Sequence, residues 1–155
     1  MNQEIERKWL VKKDMIPNLQ YMSVSNIKQG YINIDPEKTI RIRIINTDCY
    51  LTIKGKSSVD GYTRSEFEYR IPLDDGMQML ETLCNDKYIT KTRYEIPWED
   101  NKFNIELDIF HGFKNQGLVI AEIESKNIDE WPLTLPDWFG NEVTGNIEYY
   151  NSNLL

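Results

Sequence analysis

The chain has 155 residues, 40% of them hydrophobic and 28% charged, with a net charge of −7; this is one domain's worth of sequence, expected as a single unit over 1–155, with enough apolar content for a core or a closed barrel. No apolar run approaches the roughly 20 residues of a membrane span, and the N-terminus is polar and acidic, so a cytoplasmic protein without a membrane partner is expected. The acidic balance argues against a stable nucleic-acid partner, one histidine (His111) argues against a His-based zinc site or a Ser-His-Asp triad, and Cys49 and Cys84 are isolated enough to read as reduced thiols.

Residues 3–11 read as a first strand. Because side chains alternate along an extended chain, Glu4, Glu6 and Lys8 share one face and Ile5, Arg7 and Trp9 the other. Two carboxylates beside an ammonium suit a hard divalent cation next to a phosphate; a solvated edge strand fits the same pattern. A second strand spans 21–34, with Gln29, Tyr31 and Asn33 on one parity, and a turn at Asp35-Pro36-Glu37-Lys38 leads to a third at 39–45, which carries Arg41 and Arg43. The fourth, 49–56, offers Lys54 and Lys56; the fifth, 62–71, offers Arg64, Glu66 and Glu68 and ends at Pro72. Asp74 or Asp75 is placed to cap a short helix reaching Cys84. A sixth strand, 88–96, carries Lys91 and Arg93 and is closed by Pro97; a seventh, 102–110, carries Glu106 and Asp108; an eighth, 118–125, carries Glu122 and Glu124. Residues 127–139, broken by Pro132 and Pro136, are expected to be a loop with a short helical turn, and Thr144 to cap a closing helix through Leu154.

Like-charged pairs two residues apart occur on seven of these eight strands. On a solvated sheet, signs are better interspersed; cationic pairs call for an anion and acidic pairs for a metal. Eight antiparallel strands can close so that alternate residues face inward. The charged parity then lines a wet lumen, or the apolar parity fills a dry interior; periodicity fits both. Eight scattered glycines form no phosphate-binding loop, so phosphate would be held by side chains.

Glu4-Ile5-Glu6-Arg7-Lys8 resembles the ExExK signature of the triphosphate tunnel metalloenzymes, the CYTH superfamily. Arg41-Ile42-Arg43, Lys54-Gly55-Lys56, Arg64-Ser65-Glu66-Phe67-Glu68, Lys91-Thr92-Arg93, Leu107-Asp108 and Glu122-Ile123-Glu124 resemble the other tunnel strands in the same order, most closely in the short bacterial members. The resemblance implies a mainly β (α+β) fold: a closed eight-stranded antiparallel β-barrel with a few flanking helices, one of which covers a tunnel mouth or packs outside. It implies hydrolysis of the terminal phosphoanhydride of inorganic tripolyphosphate, with nucleoside triphosphates as slower substrates, by a monomer or homodimer. Adenylate cyclase, thiamine-triphosphatase and a non-catalytic polyphosphate-binding module are the alternatives. Arg41, Arg43, Lys54, Lys56, Arg64, Lys91 and Arg93 would bind the phosphates; Glu4, Glu6, Asp108, Glu122 and Glu124 would hold Mg²⁺ or Mn²⁺, expected as two ions; Lys8 would stabilise developing charge. Tyr31, in Gln29-Gly30-Tyr31, matches the family's proposed proton acceptor, although a phenol needs strong cationic help in that role and a wall residue reads equally well. Arg64, Glu66 and Glu68 also read as wall ion pairs, His111 as a loop hydrogen-bonder, and Arg7 and Lys28 as surface residues.

Overall fold

A computed structural model of the chain describes residues 2–112 and 114–155. The alternating segments form the strands β1 (Gln3–Val11), β2 (Ser23–Asn33), β3 (Lys38–Ile45), β4 (Asp48–Gly55), β5 (Thr63–Ile71), β6 (Tyr88–Trp98), β7 (Phe103–Phe110), β8 (Val119–Glu124) and β9 (Phe139–Glu142), with α1 (Leu73–Thr82) between β5 and β6. Neighbours run in the order β5-β4-β3-β2-β6-β7-β8-β1, every pairing is antiparallel, and β1 returns to β5, closing an eight-stranded barrel.

β1 divides one of its edges between two partners. Residues 3–5 pair with 63–65 of β5, whereas Trp9 and Val11 pair with Glu142 and Phe139 of β9. Glu6 N donates to Tyr62 O (2.9 Å) and Val143 N to Lys8 O (2.8 Å) across the gap, so the stretch bearing the acidic signature remains tied to the wall.

The apolar parity faces outward and is covered in two places. Trp9, Ile105, Leu107, Ala121 and Ile123 are buried beneath Trp138 and Phe139, joined by Ile16, Leu19 and Met22 from the β1–β2 connection. On β3 and β4, Ile42 and Cys49 are buried against Leu80 and Cys84 at α1 and its end. The helix lies close to the sheet because two glycines lack a Cβ: one on Gly76 would stand 2.1 Å from Cys49 Sγ, and one on Gly30 2.7 Å from Leu80 Cδ2. The charged parity therefore faces the lumen, which selects the wet-barrel arrangement over the dry one.

Several local expectations are corrected. α1 begins after Pro72 with no side-chain cap; Asp74 and Asp75 lie in its first turn, where they favour the helix dipole, and it ends at Thr82. Pro97 sits within β6, opposite Asn104. It is tolerated because β2 accompanies β6 only as far as Glu95, so its missing N–H faces no ladder partner. Within 127–139 the loop makes two single hydrogen-bonded turns, Glu130 N to Asn127 O and Phe139 N to Pro136 O, and it runs into a four-residue β9 that lacks alternation. The closing helix is replaced by two 3-10 turns, Ile147–Tyr149 and Asn151–Asn153; Asn146, not Thr144, caps the first by accepting from Glu148 N. Thr144 Oγ1 instead accepts from Lys8 N at 2.9 Å. This C-terminal segment crosses one end of the barrel, where Leu154 packs on the lumen-facing Ile89, Phe110 and Ile120.

Candidate active site

The lumen is a cavity of ≈ 330 Å³ lined by residues of every barrel strand, among them Glu4, Glu6, Lys8, Tyr31, Arg41, Arg43, Lys54, Arg64, Lys91, Arg93, Glu122 and Glu124. Strand register explains the grouping. Glu6 stands opposite Glu124, Lys8 opposite Glu122, and Glu122 opposite Glu106, so the contiguous strands β1, β8 and β7 form an acidic wall. Arg41, Arg43 and Lys54 come from the adjacent β3 and β4.

Many of these charges neutralise one another. Lys54 Nζ bonds both carboxylate oxygens of Glu4 (2.7 and 2.6 Å) and approaches Glu66 at 3.4 Å. Burial pulls the Glu4 carboxyl upward, but the Lys54 and Arg41 charges outweigh it and hold it below the usual range. Lys8 Nζ lies 3.3 Å from Glu122; despite burial of both, the attraction raises Lys8 and, with Arg93 and Lys91, lowers Glu122. Arg41 reaches Glu68 at 3.4 Å and Glu66 at 3.9 Å, so Glu66 and Glu68 are wall ion-pair partners. Arg93 pairs with Glu106 and Asp108.

The structure places Asp108, expected as a metal ligand, against two cations. It is fully buried: Oδ1 accepts from Arg93 Nε (2.7 Å), and Oδ2 accepts from Lys91 Nζ (2.7 Å) and Arg93 Nη2 (2.8 Å). Its carboxylate is already saturated by two cations, which outweigh burial and lower its pKa. Lys56, expected as a substrate contact, lies beyond the end of β4, where its side chain is 72% exposed and pairs with Glu37.

The remaining groups are less compensated. Among the described residues, the lining carboxylates Glu6, Glu95 and Glu124 make no ion pair, and neither do the cations Arg43 and Arg64. Glu95 is exposed at the rim. Burial, then repulsion by Glu4 and Glu122, pushes Glu6 up to about 8; burial, then Glu4 and Glu106, pushes Glu124 to about 7. Arg43 falls to about 10 through burial and repulsion by Arg41 and Arg93. Arg64 spends donors on Gly55 O (3.0 and 2.7 Å) and approaches Thr39 Oγ1 at 3.4 Å. The buried Nε of Arg41 has no hydrogen-bond partner among the described residues.

A hard divalent cation fits this donor set. Glu6 and Glu124 are oxygen donors without a cationic partner among the described residues, and a cation would relieve the repulsion there. Among the described residues, no three acids already converge into a closed cage; such cations commonly complete their shell with water and substrate oxygens.

Sequence reasoning passed over two residues that organise this site. Gln29 is fully buried; its Oε1 accepts from Arg43 Nε (2.8 Å), and its Nε2 donates to Tyr31 Oη (2.9 Å) and Asn151 Oδ1 (3.2 Å). Its shared parity with Tyr31 was the available signal. Asn151 lies in the C-terminal segment and had none. Outside the lumen, Arg7 bonds Glu142 and lies 4.9, 5.6 and 5.2 Å from the Trp9, Tyr62 and Trp131 ring centres, clamping the β1 seam from without. His111 Nε2 and Thr92 Oγ1 are 2.7 Å apart in an exposed hydrogen bond. Lys28 packs over Tyr88. Among the described residues, no helix is long and apolar enough to cross a membrane.

Comparison with known proteins gives a consistent result. The CYTH domain family profile matches residues 2–143. The inorganic triphosphatase of Acetivibrio thermocellus is 43% identical over 155 residues, covering 100% of this chain and 94% of that protein. The inorganic triphosphatase of Nitrosomonas europaea is 31% identical over 153 residues, covering 97% and 95%. A crystal structure of an inorganic triphosphatase superposes with a TM-score of 0.65 at 30% identity, covering 97% of this chain and 93% of that one.

Proposed function

The chain belongs to the CYTH domain family, and from that premise we propose that it is a divalent-metal-dependent hydrolase of inorganic triphosphate. Water attacks the terminal phosphorus, the phosphoanhydride P–O bond breaks, and orthophosphate and pyrophosphate are released. The observation that carries this reading is one cavity in which, among the described residues, Arg43 and Arg64 lack carboxylate partners while Glu6 and Glu124 lack cationic ones. It offers an anion and a metal the countercharges that the protein itself leaves unmatched.

Arg41, Arg43, Lys54, Arg64, Lys91 and Arg93 cradle the phosphates, the arginines through forked contacts and the lysines as compact charges. The buried Nε–H of Arg41 is free to donate to a phosphate oxygen. Glu4, Glu6 and Glu124, with Glu122 beside them, would hold the cation. Mg²⁺ or Mn²⁺, with two ions as the full complement, supplies charge neutralisation at the phosphates and activation of water when bound. Lys8, kept charged by Glu122, stabilises negative charge on the transferring group or leaving oxygen. Tyr31 faces the lumen, and its hydroxyl oxygen accepts from Gln29, leaving its proton directed elsewhere. We assign it the proton-handling role, in which Tyr31→Phe lowers kcat by about 10²-fold or more with little change in KM.

Residues 1–155 act as one domain, because the segment after the family match forms one end of the cavity. The buried free cysteines fit a reducing cytoplasm. The deciding experiment incubates purified protein with inorganic triphosphate, ATP and thiamine triphosphate, each with Mg²⁺ or Mn²⁺, and resolves orthophosphate, pyrophosphate and cyclic AMP. Fast orthophosphate release from inorganic triphosphate is expected; cyclic AMP as the main product from ATP, or tight binding without turnover, overturns the assignment.

A further inference from the structure

The C-terminal segment touches two of the lumen's lysines. Tyr149 O accepts from Lys8 Nζ at 3.4 Å, and the Tyr150 ring lies 5.7 Å from the same ammonium. Asn151 Oδ1 accepts from Lys91 Nζ at 2.9 Å and from Gln29 Nε2 at 3.2 Å. The apolar seat of Leu154 against Ile89, Phe110 and Ile120 holds the segment there.

We infer that Asn151 is a positioning residue of the substrate site, fixing the Lys91 ammonium and the Gln29 amide in the geometry that receives phosphate. This rests on the lumen being the triphosphate site. An ammonium has three N–H donors. Asp108 Oδ2 and Asn151 Oδ1 take two, at 2.7 and 2.9 Å, which leaves the third for the cavity that Lys91 lines. With Asp108 alone, the Lys91 side chain would be held at one point and free to turn about it; the second acceptor fixes its orientation. Through Gln29 the same oxygen also steadies Arg43, whose Nε donates to Gln29 Oε1 at 2.8 Å, so one amide from outside the barrel strands orders cations contributed by β3 and β6.

A double-mutant cycle tests the inference. Asn151→Ala, Lys91→Gln and the double variant are assayed for kcat and KM with inorganic triphosphate, with Arg43→Ala as a reference for phosphate binding and Tm recorded for each. Asn151→Ala is expected to raise KM about tenfold in the wild-type background with kcat within about twofold, and to raise it by less than about twofold once Lys91 is already Gln. Equal fold-increases in both backgrounds, or an unchanged KM for Asn151→Ala while Lys91→Gln raises it, overturn the positioning role. If neither Lys91→Gln nor Arg43→Ala changes KM, the triphosphate reading itself falls, and the inference with it. Should Asn151→Ala fail to fold, Asn151→Ser, whose shorter side chain cannot span the same contact, enters the cycle under the same criteria.

Discussion

The wall built by Lys91, Arg93 and Asp108 and the wall bearing Glu6 belong to the same barrel but treat enclosed charge in opposite ways. Asp108 is saturated by an ammonium and a guanidinium and kept below its usual pKa. Glu6, partly buried, has no ion-pair partner among the described residues and is pushed to about 8. A buried carboxylate left without partners is a candidate to bind a cation on a ground that charge alone does not supply.

The sharpest way to break this comparison is to neutralise one member of each wall. Glu6→Gln should lower metal-dependent turnover by roughly 10³-fold or more, comparable to losing a key electrostatic contact, while the protein remains folded. Unchanged activity and metal titration would remove Glu6 from the site. Asp108→Asn leaves Lys91 and Arg93 undercompensated and should cost about 3–5 kcal/mol of stability, the range for breaking a buried ion pair, read as a lower denaturation midpoint. If its loss is instead confined to metal affinity, the two walls are not different in kind.

The comparison sharpens with pH. Glu6 ionises near 4.5 when unfolded and near 8 when folded, so the folded state holds the extra proton between those values, and this contribution to stability is lost as pH rises through the window. In chelator, Glu6→Gln removes that slope: its Tm should gain several degrees on the wild type between pH 5 and pH 9. A constant difference would show that the burial of Glu6 carries no such linkage. The smallest effect belongs to Lys56→Ala, expected to leave kcat and KM within about twofold because an exposed pair with Glu37 contributes little.

Much of this was legible in the chain because a strand's two-residue period is strict. Once Glu4, Glu6, Arg41, Arg43, Lys91, Arg93 and Glu122 shared a parity with their neighbours, closure of the sheet placed them together. The period could not say which parity faced inward; that depended on what covers the outside, namely α1 and the Trp138–Phe139 stretch, contributed from separate parts of the chain. Nor could it separate Asp108 from Glu6, since the difference lies in cross-strand partners, or see that β4 ends before Lys56. The end of the chain was least readable: β9 owes its form to the edge β1 offers it, and the 3-10 turns to contacts with Lys8 and Lys91.

With Leu154 seated on Ile89, Phe110 and Ile120 at one end of the barrel, both reaction products are expected to retreat along the path by which the reactant arrived, the fragment seated farther in leaving last. Pyrophosphate should then compete directly with incoming triphosphate, making turnover sensitive to how quickly the cul-de-sac is emptied.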